Sequence, residues 1–158
     1  MTRVLIGLIS DTHGLLRPDV PRAFAGVSRI LHAGDVGGEE ILDALARIAP
    51  VQAVWGNTDP WGEPGLVGRL DLLLDGVRIH VSHGHEIGRP KPAQLAAVYD
   101  ASVIVYGHTH KQVIARVGGQ LVVNPGAAGP RRFSLAPSVA LLRLERGIAS
   151  AELIDLTP

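Results

Sequence analysis

The chain has 158 residues, of which 46% are hydrophobic and 19% charged, and its Lys plus Arg balance its Asp plus Glu to a formal net charge of zero. That composition reads as one globular domain over residues 1–158, and neutrality argues against a domain whose main task is to hold a long nucleic acid. Cysteine is absent, which excludes disulfides, thiolate zinc sites and cysteine nucleophiles; any metal must be held by oxygen and imidazole nitrogen.

The first apolar run, "VLIGLIS", ends in "DTHG", which carries Asp11 and His13. It is too short for a signal-peptide core, and no later stretch reaches the ~18 apolar residues of a membrane span, so a cytoplasmic protein with no membrane partner is expected. "PDVPRAFAG" reads as a short helix capped by Asp19. "RILHA" is the next strand and runs into Gly34-Asp35. "EEILDALARIA" then places Ile41, Leu42, Leu45, Ile48 and Ala49 on one helical face, with Glu39 and Glu40 in the first turn, where the helix dipole favours them. The strand "VQAVW" runs into "GNTD" at Asn57. "DLLLDGVRIHVS" is a hairpin turning at Asp75-Gly76, and it leads to "HGHE" with His83 and His85. "KPAQLAAVYD" is a helix with Leu95, Val98 and Tyr99 on one face, and the strand "ASVIVY" runs into "GHTH" at His108 and His110. "QVIARVGGQLVVN" and "SVALLRLERGIASAELIDL" read as two further hairpins. Strand–helix alternation followed by hairpins predicts an α/β fold in which two mixed sheets pack together with helices outside.

Each polar cluster follows the carboxyl end of its strand, the edge where open α/β sheets bind ligands. Alone, each is unremarkable: Asp11 or Asp35 could serve a turn, Asn57 a left-handed residue, and a His-x-His pair a surface loop. Five clusters at equivalent strand ends would converge in one cleft. Carboxylates, a carboxamide and imidazoles without thiolate suit Mn²⁺, Fe²⁺, Ni²⁺ or Zn²⁺. Seven such groups are too many for one ion; they suit two ions ~3.5–4 Å apart that share a bridging carboxylate.

Asp-x-His, Gly-Asp, Gly-Asn, His and Gly-His-x-His, in this order, resemble the calcineurin-like metallophosphoesterases. "SDTHG", "GNTD", "SHGH", "GHTH" and "NPGA" are similar to the small YfcE-type phosphodiesterase branch, with the likeness running from Ile6 to about Arg132. The resemblance implies a four-layer α/β/β/α sandwich. It implies that Asp11, His13 and His110 bind one divalent ion, that Asn57, His83 and His108 bind the other, and that Asp35 bridges them. Manganese ranks first among the ions, with Ni²⁺, Fe²⁺ or Zn²⁺ as alternatives. Two divalent ions and two aspartates leave about +2, or about +1 with a bridging hydroxide, which complements a phosphodiester monoanion. The implied reaction is hydrolysis of a small-molecule phosphodiester by attack of that hydroxide, with Asp35, Asn57 and His83 carrying catalysis.

Larger members of the superfamily have His after the Asn to assist the leaving group; here Thr58 stands there, and it is no acid near neutral pH. That biases the expected activity toward diesters and activated aryl phosphates, with Thr58 as a substrate contact. His85 contacts substrate, supports the metal shell or is solvated. Arg131 and Arg132, in "NPGAAGPRR", either clamp a phosphate oxygen or are solvated, and Ala127 replaces the Ser usual in that loop. Asp59 either orients a ligand or caps a turn. His80 is expected on the strand face opposite Ile79 and Val81, and His32 packed near the site without being a ligand. Trp55 and Trp61 either wall the cleft or belong to the core. Two alternatives remain: a non-catalytic scaffold of the retromer-subunit type, and a phosphomonoesterase or nucleotidase on the same fold. Small relatives often form homo-oligomers.

Overall fold

The computed structural model describes residues 3–132 and 134–157. In chain order the elements are β1 (Val4–Ile9), α1 (Val20–Ala23), β2 (Arg29–His32), α2 (Glu39–Ala46), β3 (Val51–Val54), β4 (Leu66–Val67), β5 (Leu70–Leu74) and β6 (Val77–Val81). A 3-10 turn follows at His85–Ile87, then α3 (Pro92–Val98), β7 (Val103–Val105), β8 (Val113–Val117), β9 (Gln120–Asn124), β10 (Ser138–Glu145) and β11 (Ile148–Asp155).

The strands form two mixed sheets. The first has the order β11-β10-β1-β2-β3-β4 and the second β5-β6-β7-β9-β8. In the first, β1 to β4 run parallel and β10 lies antiparallel to β1. In the second, β6, β7 and β9 run parallel, with β5 and β8 antiparallel at the edges. The parallel strands are Val/Ile-rich runs because they are covered on both faces.

Three hydrophobic clusters fill the three gaps of a four-layer α/β/β/α sandwich. Between the sheets lie Ile6, Leu8, Leu31 and Val54 against Val77, Ile79, Val81, Val103, Val105 and Val123. Outside the first sheet, Phe24, Ile41 and Leu45 pack on Ile9, Ile30 and Ala53. Outside the second, Leu95 of α3 packs on Ile104, Tyr106 and Val122. Each fully buried aliphatic side chain contributes about 1.5–3 kcal/mol.

The hairpins turn where they are expected. Asp75 (φ 51°) with Gly76 (φ 77°), and Arg146 (φ 54°) with Gly147 (φ 75°), adopt the paired left-handed conformations of two-residue loops that match strand twist. Asp19 departs from its expected role. Its side chain makes no cap on α1, and its Oδ2 instead accepts a bond from the Thr157 amide at 2.7 Å. α2 stops at Ala46, three residues short of the apolar pattern, and tightens through Ile48 N–H to Leu45 O ahead of Pro50. The two-residue β4 carries no sequence signal. Trp55 packs against the helix-side core, whereas Trp61 is 89% exposed and belongs to neither core.

Among the described residues, no helix is long and apolar enough to cross a membrane. The loops after β1, β2 and β3 meet those after β6, β7 and β9 at one end of the sandwich, through bonds such as Asp11 N–H to Gly34 O (2.9 Å) and Ala128 N–H to Ser10 O (2.9 Å).

Candidate metal centre

The backbone at this end is held in a conformation that L-residues avoid. Among the described residues, seven non-glycine positions have positive φ: Asp11, His13, Asp35, Asp75, His108, His110 and Arg146. Asp75 and Arg146 are hairpin turns; the other five are all sequence-predicted ligands. Non-glycine residues in this region cost of order 1–3 kcal/mol each and persist where surrounding structure or function requires them.

Close packing explains the glycines before Asn57 and His108. A Cβ on Gly56 would stand 2.0 Å from Asp35 Oδ1, and one on Gly107 would stand 2.0 Å from Ser10 Oγ and 2.6 Å from Asp11 Oδ2. The loops of the two sheets touch with no room for a methyl group.

Asp11 is fully buried. Its Oδ2 accepts from the Ser10 hydroxyl (2.6 Å) and the His108 amide (3.1 Å), while its Oδ1 has no hydrogen-bond partner. That free oxygen lies 3.3 Å from His110 Nε2 and 3.7 Å from His13 Nε2, and the latter nitrogen is also buried without a partner. Asp35 divides its oxygens in the same way. Oδ1 accepts from the Thr58 amide at 2.9 Å, and Oδ2 lies 3.6 Å from His13 Nε2 and 3.3 Å from His83 Nε2. Asn57 Oδ1 is 3.0 Å from His83 Nε2. The His108 ring centroid is 5.2 Å from that of His83 and 6.2 Å from that of His85, and the His85 centroid is 5.3 Å from that of His83.

Among the described residues, two groups of donors are close enough for an ion: Asp11, His13 and His110, and Asp11, Asp35 and His83. Buried, unpartnered carboxylate oxygen and imidazole nitrogen facing each other are what a divalent cation satisfies, and the set, rich in imidazole and carboxylate, fits one chemically.

Burial opposes ionisation of Asp11, but the His110 and His13 rings, the charge of His83 and the Ser10 hydroxyl outweigh it and hold the carboxyl well below the usual carboxylate range. Burial likewise opposes ionisation of Asp35, and His83 with the Thr58 amide brings its pKa down to about 2. Both are anionic at neutral pH. His83 is pushed down by burial but raised on balance by Asp35 and Asp11, whereas burial and the charge of His83 lower His108.

Other side chains hold this arrangement in place. His83 Nδ1 bonds Ala33 O at 2.7 Å, which turns Nε2 into the site. Asp59 accepts from the amides of Val36, Gly37 and Gly56, so it ties the Asp35 loop to the Asn57 loop besides closing its own turn. His32 stays outside the centre, as expected. It accepts from the Gly34 amide at Nδ1 and meets Thr12 Oγ1 at Nε2 (3.0 Å), and burial drives its pKa down to about 4. His80 does lie on the other strand face, bonded to Asp71 and Ser82 and stacked on Tyr99.

The substrate-contact predictions divide. Arg132 lines a pocket with His108 and His110. Arg131 is exposed and does not line it. Thr58 engages Asp35 through its backbone while its side chain is exposed. His85 stands beside His83 and His108. Sequence reasoning missed Asn124, whose Nδ2 donates to Gly107 O and Thr109 Oγ1 at 3.1 Å each and so pins the loop of His108 and His110. An Asn ending a strand just before Pro-Gly was its one signal.

The sequence profile of the calcineurin-like phosphoesterase superfamily domain matches residues 4–147. The chain belongs to that superfamily. It is 36% identical over 160 residues to a probable metallophosphoesterase of Methanothermobacter thermautotrophicus, covering 96% of this chain and 92% of that one. It is 29% identical over 139 residues to a phosphodiesterase of Methanocaldococcus jannaschii, covering 77% and 82%. Among solved structures, wild-type Vps29 of Entamoeba histolytica, complexed with Zn²⁺, superposes with a TM-score of 0.78 at 28% identity, covering 96% of this chain and 99% of that one. Superfamily membership accounts for the convergence of all five polar clusters, and these relatives support a phosphoesterase with divalent metal.

Proposed function

We propose that the chain is a phosphodiesterase acting on small diesters with two divalent ions, manganese first among them. Asp11, His13 and His110 would hold one ion, Asn57, His83 and His108 the other, and Asp35 would bridge. What supports this reading above all is Asp35. Its Oδ1 is held by the Thr58 amide, and its Oδ2 faces His13 on one side and His83 on the other. A carboxylate held at one oxygen, with an imidazole of each proposed ion near the other, suits a bridging role.

Divalent ions so held supply Lewis-acid activation of water and of the phosphoryl group. The residues set the charge. Two aspartates against two dications leave about +2, and Asn57 offers a ligand oxygen without adding a negative charge. A diester monoanion is complementary to that excess. Thr58 offers no proton to a leaving group near pH 7, so poor leaving groups and monoesters are disfavoured. His85, beside His83 and His108, would contact an oxygen of the phosphoryl group.

A second reading, a non-catalytic metal-binding scaffold, is favoured by the likeness to Vps29. Hydrolysis of bis-p-nitrophenyl phosphate and of its monoester by metal-stripped protein, with Mn²⁺, Ni²⁺, Zn²⁺ and Mg²⁺ returned singly, separates the two. Metal-dependent cleavage of the diester ahead of the monoester supports the enzyme; tight metal binding with no turnover supports the scaffold.

A further inference from the structure

The loops after β6 and β7, which carry candidate ligands, and the loop after β9 each deliver a cation to one place. Arg89 follows the turn that begins at His85, Lys111 follows His110 directly, and Arg132 lies in the connection between β9 and β10. All three line a single pocket whose wall includes His108 and His110, so the pocket is continuous with the metal centre. Among the described residues, no carboxylate lines it.

Three surface arginines are neutralised, Arg69 by Asp71, Arg78 by Asp100 and Arg143 by Glu152, while others such as Arg22, Arg47 and Arg146 stand singly; what sets the pocket apart is that its cations are gathered together. Arg89, Lys111 and Arg132 have no acidic partner among the described residues. In a chain of zero net charge, three unpaired cations in one acid-free pocket are a local concentration of positive potential. A diester held at the metal centre already has its single negative charge matched by the ions. The extra cations therefore have nothing to bind on a simple diester.

We propose that this pocket is a subsite for a second phosphate, and that the preferred substrates are diesters in which one esterified group carries a further phosphate beside the scissile one. This rests on the phosphodiesterase reading above and narrows its substrate class. Arg89 and Arg132 supply planar forks suited to two phosphate oxygens, and Lys111 a point charge between the subsite and His110.

The test compares two activated diesters that differ by one phosphate, thymidine 5′-(p-nitrophenyl phosphate) and its 3′-phosphorylated form, with release of p-nitrophenol scored. With the Mn²⁺-loaded protein, kcat/KM is expected to favour the 3′-phosphorylated diester by about tenfold or more at low salt, because charge-assisted phosphate contacts are gained. The preference should fall toward one in about 1 M salt, where exposed charges are screened. It should also fall toward one in Arg89→Ala, Lys111→Ala and Arg132→Ala, all exposed positions whose truncation leaves the core intact. A ratio near one in the wild type, or a ratio that survives all three substitutions, overturns the subsite. Bis-p-nitrophenyl phosphate is run alongside: its cleavage with no preference for the 3′-phosphorylated diester sinks the subsite alone, while its failure to be cleaved sinks the phosphodiesterase reading beneath it.

Discussion

The two sheets contribute opposite kinds of chemistry to one centre. The first supplies Asp11, Asp35 and Asn57, hence both carboxylates and the carboxamide, with one imidazole from His13. The second supplies His83, His85, His108 and His110. The anionic half is held by amide donors reaching its carboxylates, through Thr58, His108 and the Asp59 clamp. The imidazole half is held by acceptors and a carboxamide, through Ala33 O and Asn124. Each group of donors close enough for an ion draws on both sheets, so the site exists only where the sheets are packed, and metal should stabilise that packing.

The sharpest way to unbalance the halves is to remove charge from the anionic one. Asp35→Asn keeps the shape and deletes the group that faces both His13 and His83; turnover of bis-p-nitrophenyl phosphate should fall about a thousandfold or more. The clamps test whether each half is positioned independently. Asp59→Ala loosens the first-sheet loops and Asn124→Ala the second-sheet loop, and each should weaken metal affinity about 10–100-fold by calorimetry. If one clamp is silent, the corresponding half is held by packing alone.

Acid should act on the first half through His32. Its neutral ring is fully buried, with a pKa of about 4 against 6.5 in the unfolded chain. The unfolded state therefore takes up a proton first as pH falls. The stability tied to the neutral ring is complete above pH 6.5 and is lost as pH drops toward 4, by about 3 kcal/mol. Denaturant unfolding of wild type and His32→Gln at pH 7 and pH 4.5 should show a steeper acid loss in the wild type. The smallest effect expected is at the seam between the sheets. Gly107→Ala places a methyl against Ser10 and Asp11, and overpacking should lower stability by about 1–3 kcal/mol, measured by thermal unfolding.

The strands and hairpins were legible because they rest on local patterns: β-branched runs buried on both faces, and turn residues tolerant of positive φ at Asp75-Gly76 and Arg146-Gly147. The seven candidate ligands were legible because five polar clusters follow five strand ends, and a sheet brings such ends together. What was missed, as at Asn124, or read only in part, as at Asp59 and Asp19, is held by long-range bonds with no local signature. Asn124 reaches Gly107 across 17 residues, Asp59 reaches Val36 across 23, and Asp19 leaves its helix for Thr157 across 138. The cation pocket was half visible: Arg132 stood out beside "NPGA", but nothing along the chain links it to Arg89 and Lys111.

The most direct measurement is a titration of metal-stripped protein with Mn²⁺, with bound ion per chain and diester turnover recorded on the same samples. Two ions per chain are expected, with turnover of bis-p-nitrophenyl phosphate rising as the second binds. Saturation at one ion, or two bound ions without turnover, would contradict a centre built jointly by the two sheets for diester hydrolysis.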